Sequence, residues 1–288
     1  IGLTLKRITD NFTSVQLLVT GSSSFELQSN LSEPLTGRKY EYHLYPISTA
    51  ELYDSQGLLP VKQMFESRLI YGSYPDIINH TDEAKELLMN IANSYLYKDL
   101  LAMNEIRRPI LLEKLLIALA LQVGSEVSYN EVAQTIGTDN KTVEKYIDLL
   151  EKCYVIFRLN AFNRNLRTEL KKSKKIYFYD NGIRNAVIQN FAPLSLRQDT
   201  GALWENFFIS ERIKANHYNG NYAKSFFWRT TQQQEIDYIE EADGNFTAFE
   251  MKWNPNKRQI TFPSPFLNNY PVKETVVITP ENYLEWVM

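Results

Sequence analysis

The spacing of apolar residues divides the chain into helical and strand-forming stretches. Residues 3–11 place apolar side chains on one helical side, and residues 48–123 carry several helical stripes, interrupted at Tyr71-Gly72-Ser73-Tyr74-Pro75. Two mostly apolar runs near the start, 15–20 and 40–45, predict strands of an α/β sheet. The first part of the chain therefore predicts a portion of an α/β sheet followed by a helical unit.

The middle of the chain predicts two short helices joined by a tight turn. Ser128-Tyr129-Asn130-Glu131 is a capping-box pattern that opens the first helix. Thr138 or Asp139 then opens a second helix over 141–152, and a β-rich stretch at 154–159 follows at once. This order is typical of a winged helix-turn-helix.

Basic residues near this unit favour a nucleic-acid partner. The second helix would present Asn140, Lys141 and Lys145 outward, which suits a DNA groove. Residues 158–175 are rich in basic side chains that could follow a phosphate backbone. These basic side chains include Arg164 and Arg167. Acidic residues dilute the charge of the helix, and a charge run is commonly a solvated linker, so a protein partner stays an open alternative.

The last third predicts a small α/β unit with a mixed sheet. A helix is expected from about Gly201 to Ala215, and Asp243-Gly244 is a strong hairpin signal. The predicted strands are 175–179, 225–229, 235–241, 246–253 and 275–278. The unit differs from the middle of the chain because strands, rather than helices, dominate it.

Asp237, Glu250 and Lys252 form the most informative polar pattern. Glu250 and Lys252 share one face of a strand because side chains at i and i+2 point the same way, and Asp237 lies on the preceding strand. Two carboxylates offer oxygen ligands to Mg²⁺, and the lysine could orient a water or stabilise charge on a phosphate. Glu205, on the helix before these strands, could add a carboxylate. The alternative is a hairpin with cross-strand ion pairs and no metal.

Composition describes an ordinary soluble protein of two or three domains. The 288 residues carry a formal net charge of −3 and therefore provide no global basic field for nucleic acid. Cys153 is the single cysteine, which excludes an internal disulfide framework and fits a reducing cytoplasm. The longest apolar run is too short to span a bilayer, so no membrane partner is expected. The chain does not begin with Met and is interpreted as a fragment or a processed product.

Several short motifs, taken in order, resemble a family of prokaryotic AAA-type P-loop ATPases that end in a nuclease-like domain of unknown function. The motifs are Val19-Thr20-Gly21-Ser22-Ser23-Ser24-Phe25, Leu35-Thr36-Gly37-Arg38, Leu44-Tyr45-Pro46-Ile47-Ser48, Gly72-Ser73-Tyr74-Pro75, Tyr97-Lys98-Asp99-Leu100, Tyr179-Asp180-Asn181-Gly182, Gly201-Ala202-Leu203-Trp204-Glu205-Asn206, Glu235-Ile236-Asp237 and Glu250-Met251-Lys252. They run across nearly the whole chain.

The resemblance implies that ATP is the cofactor of the parent protein. Thr20 and Ser22 resemble a sensor position that reads the γ-phosphate, and Arg38 resembles an arginine that reaches a phosphate in its own or a neighbouring subunit. The sequence contains no G-x-x-x-x-G-K-[ST] loop. We therefore expect no tight ATP binding and no ATP hydrolysis from this chain alone, and leave open whether the parent is an oligomer.

The resemblance also implies a PD-(D/E)xK restriction-endonuclease-like fold at the C-terminal end, with Glu205, Asp237, Glu250 and Lys252 on its motif positions. Ile236 stands where the motif has proline. The predicted domains are a remnant of the AAA+ core (1–68), a helical lid (69–124), a winged helix (125–174) and the nuclease-like domain (175–288). Three functions stay open: an ATPase fragment with a DNA-binding part, a Mg²⁺-dependent nuclease, and a protein-interaction module on a degenerate nuclease fold.

Overall fold

The computed structural model describes residues 2–21, 39–96, 108–163, 174–254, 256 and 260–288. Helices fill most of its first half, as the apolar stripes predict. They are α1 (Gly2–Asn11), α2 (Thr49–Gln56), α3 (Leu58–Gln63), α4 (Phe65–Tyr71), α5 (Pro75–Asn79), α6 (Ala84–Asn90) and α7 (Pro109–Leu121). The predicted break is confirmed, because α4 ends at Tyr71 and α5 begins at Pro75, whose missing N–H is harmless at the first helical position.

The next two helices are α8 (Tyr129–Ile136) and α9 (Asn140–Lys152), and they confirm the predicted helix-turn-helix pair. Ser128 Oγ accepts the N–H of Glu131 at 3.4 Å, and Asp139 Oδ1 accepts the N–H of Thr142 at 2.9 Å. Each side chain thereby satisfies a backbone donor that the first turn leaves unpaired. Gly137, with φ of 77°, ends α8 in the left-handed conformation that glycine adopts without strain.

Seven strands form one mixed sheet in the described part of the chain. They are β1 (Glu126–Val127), β2 (Ile156–Ala161), β3 (Lys174–Phe178), β4 (Lys224–Arg229), β5 (Glu235–Ala242), β6 (Asn245–Met251) and β7 (Val272–Ile278), in the order β1-β3-β2-β4-β5-β6-β7. β2 pairs antiparallel with β3 and parallel with β4, so the strand after the helix-turn-helix joins the same sheet as the C-terminal strands. The α/β class is thus confirmed.

The predicted hairpin between β5 and β6 is also confirmed. Ala242 pairs with Asn245, which leaves Asp243 and Gly244 as a two-residue loop with φ of 51° and 78°. Positive φ at both positions is the requirement of the tight turn that matches the twist of the strands.

Four further helices complete the described chain: α10 (Asn181–Val187), α11 (Thr200–Tyr218), α12 (Ser264–Asn269) and α13 (Leu284–Val287). None of the helices in the described ranges is both long and apolar enough to cross a membrane.

Residues from three of the family motifs meet beside α11. The side-chain amide of Asn206 accepts the N–H of Phe178 at 2.7 Å and donates to the carbonyl of Phe178 at 3.0 Å and to Oδ1 of Asn181 at 2.6 Å. Asp180 Oδ2 accepts the N–H of Ser73 at 2.7 Å. These motif residues are buried and join the helical unit, β3 and α11, so their role in this region is structural.

The two strands predicted near the start of the chain are wrong. Residues 15–20 and 40–45 form no ladder with any strand in the described ranges. Leu18 and Leu44 are 89% and 92% exposed. A strand is stabilised by a hydrogen-bonded neighbour, and the described part of the chain supplies none to these segments.

Candidate functional site

Asp237, Glu250 and Lys252 lie together at the edge of the sheet where β5 begins and β6 ends. The pairing of Tyr238 with Phe249 sets the register, and beyond it Asp237 Oδ2 accepts the N–H of Met251 at 3.0 Å. Lys252 Nζ lies 2.9 Å from Glu250 Oε2 and 3.8 Å from Asp237 Oδ2. The structure therefore brings together the three side chains that the strand pattern predicts to be close.

Glu205 of α11 contacts side chains of β3 beside the same group. Its Oε1 accepts the hydroxyl of Tyr177 at 2.6 Å and lies 3.3 Å from Nζ of Lys175. Burial raises the pKa of Glu205 to about 7; the ammonium of Lys175 opposes this shift, and the negative charge of Asp237 adds to it. Glu205 belongs to the same charged cluster because Lys175 lies near both Glu205 and Glu235.

Lys175 and Glu235 are members of the cluster that the sequence pattern did not single out. Lys175 is 2% exposed, and its Nζ lies 2.6 Å from Glu235 Oε1. Burial alone would lower the pKa of Lys175. The negative charges of Glu205, Asp237 and Glu235 have the larger effect, so its pKa is raised. A signal was present in the sequence, because Lys175 and Tyr177 alternate with apolar residues and must share one face of a strand.

The interpretation of residues 158–175 as a backbone-following basic run is therefore wrong at two positions. Lys175 is buried among carboxylates. Arg158 is held by Glu151 and by Asp148, whose Oδ1 lies 2.8 Å from Nη1. Both side chains are paired with neighbouring carboxylates because they lie on β2 and β3, which are interior strands of the sheet.

Carboxylates outnumber cations in this cluster. Arg229 Nη1 lies 2.9 Å from Glu126 Oε1 and 3.5 Å from Glu235 Oε2, which extends the network to β1. Burial, followed by the charge of Asp237, raises the pKa of Glu250 to about 7. Among the described residues, the five carboxylates of Glu126, Glu205, Glu235, Asp237 and Glu250 face the three cations of Lys175, Arg229 and Lys252. The formal charge is −2 when all are ionised.

An open pocket of about 420 Å³ lies over this cluster. Glu235, Glu250 and Lys252 form its polar side, with Gln234 beside them, and residues 260–264 form the other side. The Oε1 atom of Gln234 is buried without a hydrogen-bond partner in the described structure. The two glutamates and the lysine on its polar side make the pocket suited to a polar ligand.

The donor set fits Mg²⁺ better than a metal that needs a full protein cage. No group of three or more His, Cys, Asp or Glu side chains in the described ranges is arranged to hold a metal ion. Mg²⁺ commonly takes one or two carboxylates, and waters and substrate phosphates complete its shell. The Asp237–Glu250 pair, with its excess negative charge, meets that smaller requirement.

Asn140, Lys141 and Lys145 are exposed on α9. The two lysines and their acidic neighbours border a shallow groove of about 360 Å³, lined by Lys141, Glu144, Lys145, Asp148, Leu149 and Lys152. The face carries both signs of charge, as the sequence suggests. Arg164 and Arg167 lie outside the described residues.

Of the residues assigned to nucleotide contact, Thr20 is exposed on the segment that follows α1 and belongs to no helix or strand. Ser22 and Arg38 lie outside the described residues.

Three family models match consecutive parts of the chain. An AAA domain matches residues 1–53, a domain of unknown function (DUF8612) matches 62–194, and a second domain of unknown function (DUF4143) matches 200–286. Lys175 and Tyr177 fall in the second match, whereas Glu205, Asp237, Glu250 and Lys252 fall in the third. The carboxylate cluster is therefore built from both regions.

Curated relatives come from bacteria and an archaeon. An uncharacterized protein of Haemophilus influenzae is 27% identical over 61% of this chain and 46% of its own length. An uncharacterized protein of Mycobacterium tuberculosis is 23% identical over 93% of this chain and 63% of its own length, and one of Methanocaldococcus jannaschii is 22% identical over 82% and 54%. The chain thus spans about half to two-thirds of these relatives.

No solved structure matches the chain. The AAA match relates the first 53 residues of this chain to AAA domains.

Proposed function

We propose that this chain is the part of an AAA-type ATPase that joins a DNA-contacting winged helix to a Mg²⁺-dependent nuclease site. The closeness of Asp237 to Lys252, which lines an open pocket together with Glu250, carries the nuclease part of the proposal. The pairing of β1 with β3 and of β3 with β2, around two capped helices, supports the winged helix.

The residues of the pocket have the chemistry that phosphodiester cleavage needs. A bound Mg²⁺ would polarise the phosphate and lower the pKa of a bound water. Asp237 and Glu250 would hold the ion. Because the pKa of Glu250 is about 7, a proton competes for this carboxylate at neutral pH. Lys252, 2.9 Å from Glu250, would stabilise charge that develops on the phosphate, with Glu205 assisting from α11.

The nuclease is tested by incubating the purified chain with plasmid DNA and Mg²⁺ or Mn²⁺. We expect cleavage by the wild type, abolished by Asp237→Ala, because the ion loses one of its two carboxylates. Glu274→Ala, which changes an exposed carboxylate of β7, is the matched control and should cleave normally. A folded wild-type chain that is inactive with both metals would refute the nuclease.

That refutation would leave the protein-interaction module as the function. The observation that favours it is the ion pairing of the cluster, in which Glu205, Glu235 and Glu250 each lie near a lysine. Such pairs can be purely structural.

DNA contact by α9 is tested by a salt titration of binding to duplex DNA. Contacts between lysines and phosphates release counterions, so the affinity should fall steeply with salt, and Lys141→Ala should reduce the slope by about 1. Lys62→Ala, on an exposed position of α3, is the control. A flat salt response would indicate a protein partner instead.

The nucleotide-binding part of the proposal concerns the parent ATPase. The AAA match covers Thr20, Ser22 and Arg38, which would contact the phosphates of ATP there, with Arg38 in its own or a neighbouring subunit. Turnover by this chain alone is not expected, because its sequence contains no phosphate-binding loop. ATP hydrolysis by the purified chain would contradict this expectation.

A further inference from the structure

Lys175 occupies a position between two carboxylates from different elements. Its Nζ lies 2.6 Å from Glu235 of β5 and 3.3 Å from Glu205 of α11. The face of Phe227 covers the ammonium, with 5.4 Å between Nζ and the ring centroid. At 2% exposure this cation is screened from water and bound almost entirely by protein groups.

A buried cation that lies between two carboxylates neutralises their charge, as a bound metal ion would. In two-metal phosphodiester sites, the ions lie roughly 3.5–4 Å apart and are bridged by carboxylates. Here Asp237 and Glu250 provide one pair of carboxylates, and Glu205 and Glu235 provide a second pair that already encloses Lys175.

We propose that the ammonium of Lys175 takes the position of a second metal ion between Glu205 and Glu235, so that the pocket binds one divalent cation instead of two. The inference rests on the proposed cation site at Asp237 and Glu250. The formal charge of −2 on the cluster agrees with it, since one divalent ion neutralises that charge.

Lys175 and the two carboxylates that it contacts come from different matched regions of the chain. Lys175 lies on β3 within the match to DUF8612, and the carboxylates it bridges lie within the match to DUF4143. The middle region of the chain therefore sets how many cations the C-terminal region binds.

The test is the number of Mn²⁺ ions bound per chain, measured by equilibrium dialysis against MnCl₂ alone at pH 8. We expect Lys175→Ala to bind one ion more than the wild type, because the substitution vacates space between two carboxylates. Lys175→Ala combined with Glu205→Gln should lose the additional ion, because one of its ligands is gone.

Two variants act as controls. Lys175→Arg keeps the positive charge and should bind as many ions as the wild type. Lys174→Ala should also match the wild type, since Nζ of Lys174 lies over the ring of Tyr129, 5.4 Å from its centroid, and not among the carboxylates. Equal numbers for Lys175→Ala and the wild type would overturn the inference.

The ion counts of the wild type and of Lys175→Ala distinguish failure of this inference from failure of the proposed function. A wild type that binds no Mn²⁺ refutes the cation site at Asp237 and Glu250, whereas the difference between Lys175→Ala and the wild type still decides the role of Lys175. If Lys175→Ala unfolds without metal, circular dichroism during Mn²⁺ addition replaces the dialysis. Refolding by Mn²⁺ then supports the inference, and its absence overturns it.

Discussion

Two glutamates on α11, the half-buried Glu205 and the buried Glu211, have opposite electrostatic surroundings. They are six residues apart, which is less than two helical turns. Glu211 lies 2.7 Å from Nζ of Lys214 and 3.3 Å from Nη2 of Arg68, and it accepts the N–H of Thr49 at 2.6 Å. Burial disfavours its charge, but Lys214 and Arg68 outweigh burial and lower its pKa to about 2.

Glu205 shares its lysine with another carboxylate and faces the charge of Asp237, and its pKa is about 7. Burial alone cannot explain the contrast, because the side chain of Glu211 is 1% exposed and that of Glu205 is 17% exposed, and deeper burial would give Glu211 the higher pKa. The ratio of cations to carboxylates explains it. Removing a carboxylate that pairs two buried cations destabilises the fold, whereas crowded carboxylates with raised pKa values are typical of sites that bind a ligand.

The largest expected effect is on the Glu211 side of this comparison. Glu211→Gln leaves the buried Arg68 and Lys214 without their shared carboxylate, and we expect a loss of about 3–5 kcal/mol in the free energy of unfolding, measured by urea denaturation. Glu241→Gln is the control, because its partner Lys224 is 71% exposed at 3.6 Å and the change should stay within about 0.5 kcal/mol. A small loss in the free energy of unfolding for Glu211→Gln would contradict the claim that Glu211, unlike Glu205, is held by two cations.

The pH dependence of stability should carry opposite signs for the two clusters. The folded pKa values of Glu205 and Glu250 lie above the usual 4.5, so the folded state binds the extra protons and stability rises as the pH falls from about 7 towards 4.5. One such group contributes on the order of 3 kcal/mol. The folded pKa of Glu211 is lowered, so its contribution is present above 4.5 and is lost as the pH falls towards 2.

Urea denaturation between pH 4.5 and 8 measures the first of these slopes. Mg²⁺ should reduce this dependence of stability on pH. At pH 8 the carboxylates are ionised and protons no longer compete with Mg²⁺ for them, so Mg²⁺ stabilises the folded state most there. Stability that increases from pH 4.5 to 7 without Mg²⁺ would contradict the crowded-carboxylate description.

The smallest expected effect comes from Asp237→Asn. The amide oxygen can still accept the N–H of Met251, while one negative charge leaves the cluster. We expect the cation-free protein to gain about 1 kcal/mol in stability and the pKa of Glu250 to fall, as measured by NMR of its carboxyl carbon. Thr247→Ser, elsewhere on β6, controls for a general effect of substitution in this strand. A loss of more than about 2 kcal/mol would show that Asp237 is a structural carboxylate.

Sequence patterns predicted correctly those helix caps and turns that depend only on residues close together in the chain. The caps at Ser128 and Asp139 and the hairpin at Asp243-Gly244 were predictable because each is determined by the side chain and backbone preferences of a few neighbouring residues. The strands expected at 15–20 and 40–45 fail because strand formation depends on a partner elsewhere in the chain.

The candidate site was predictable only in part, for the same reason. Asp237 and Glu250 are linked by one hairpin, so the register of two adjacent strands brings them together. Lys175 comes from β3, which is separated from β5 by two strands in the sheet order, and no local pattern reports that its ammonium reaches Glu235.

The sequence by itself determined the order of the elements, the caps and turns between them, and the closeness of Asp237, Glu250 and Lys252, because these follow from interactions between near neighbours in the chain. Only the tertiary structure decided that Lys175 neutralises two carboxylates and that the two glutamates of α11 ionise so differently. Burial and charge at a side chain depend on every element packed around it, and that packing is a property of the whole fold.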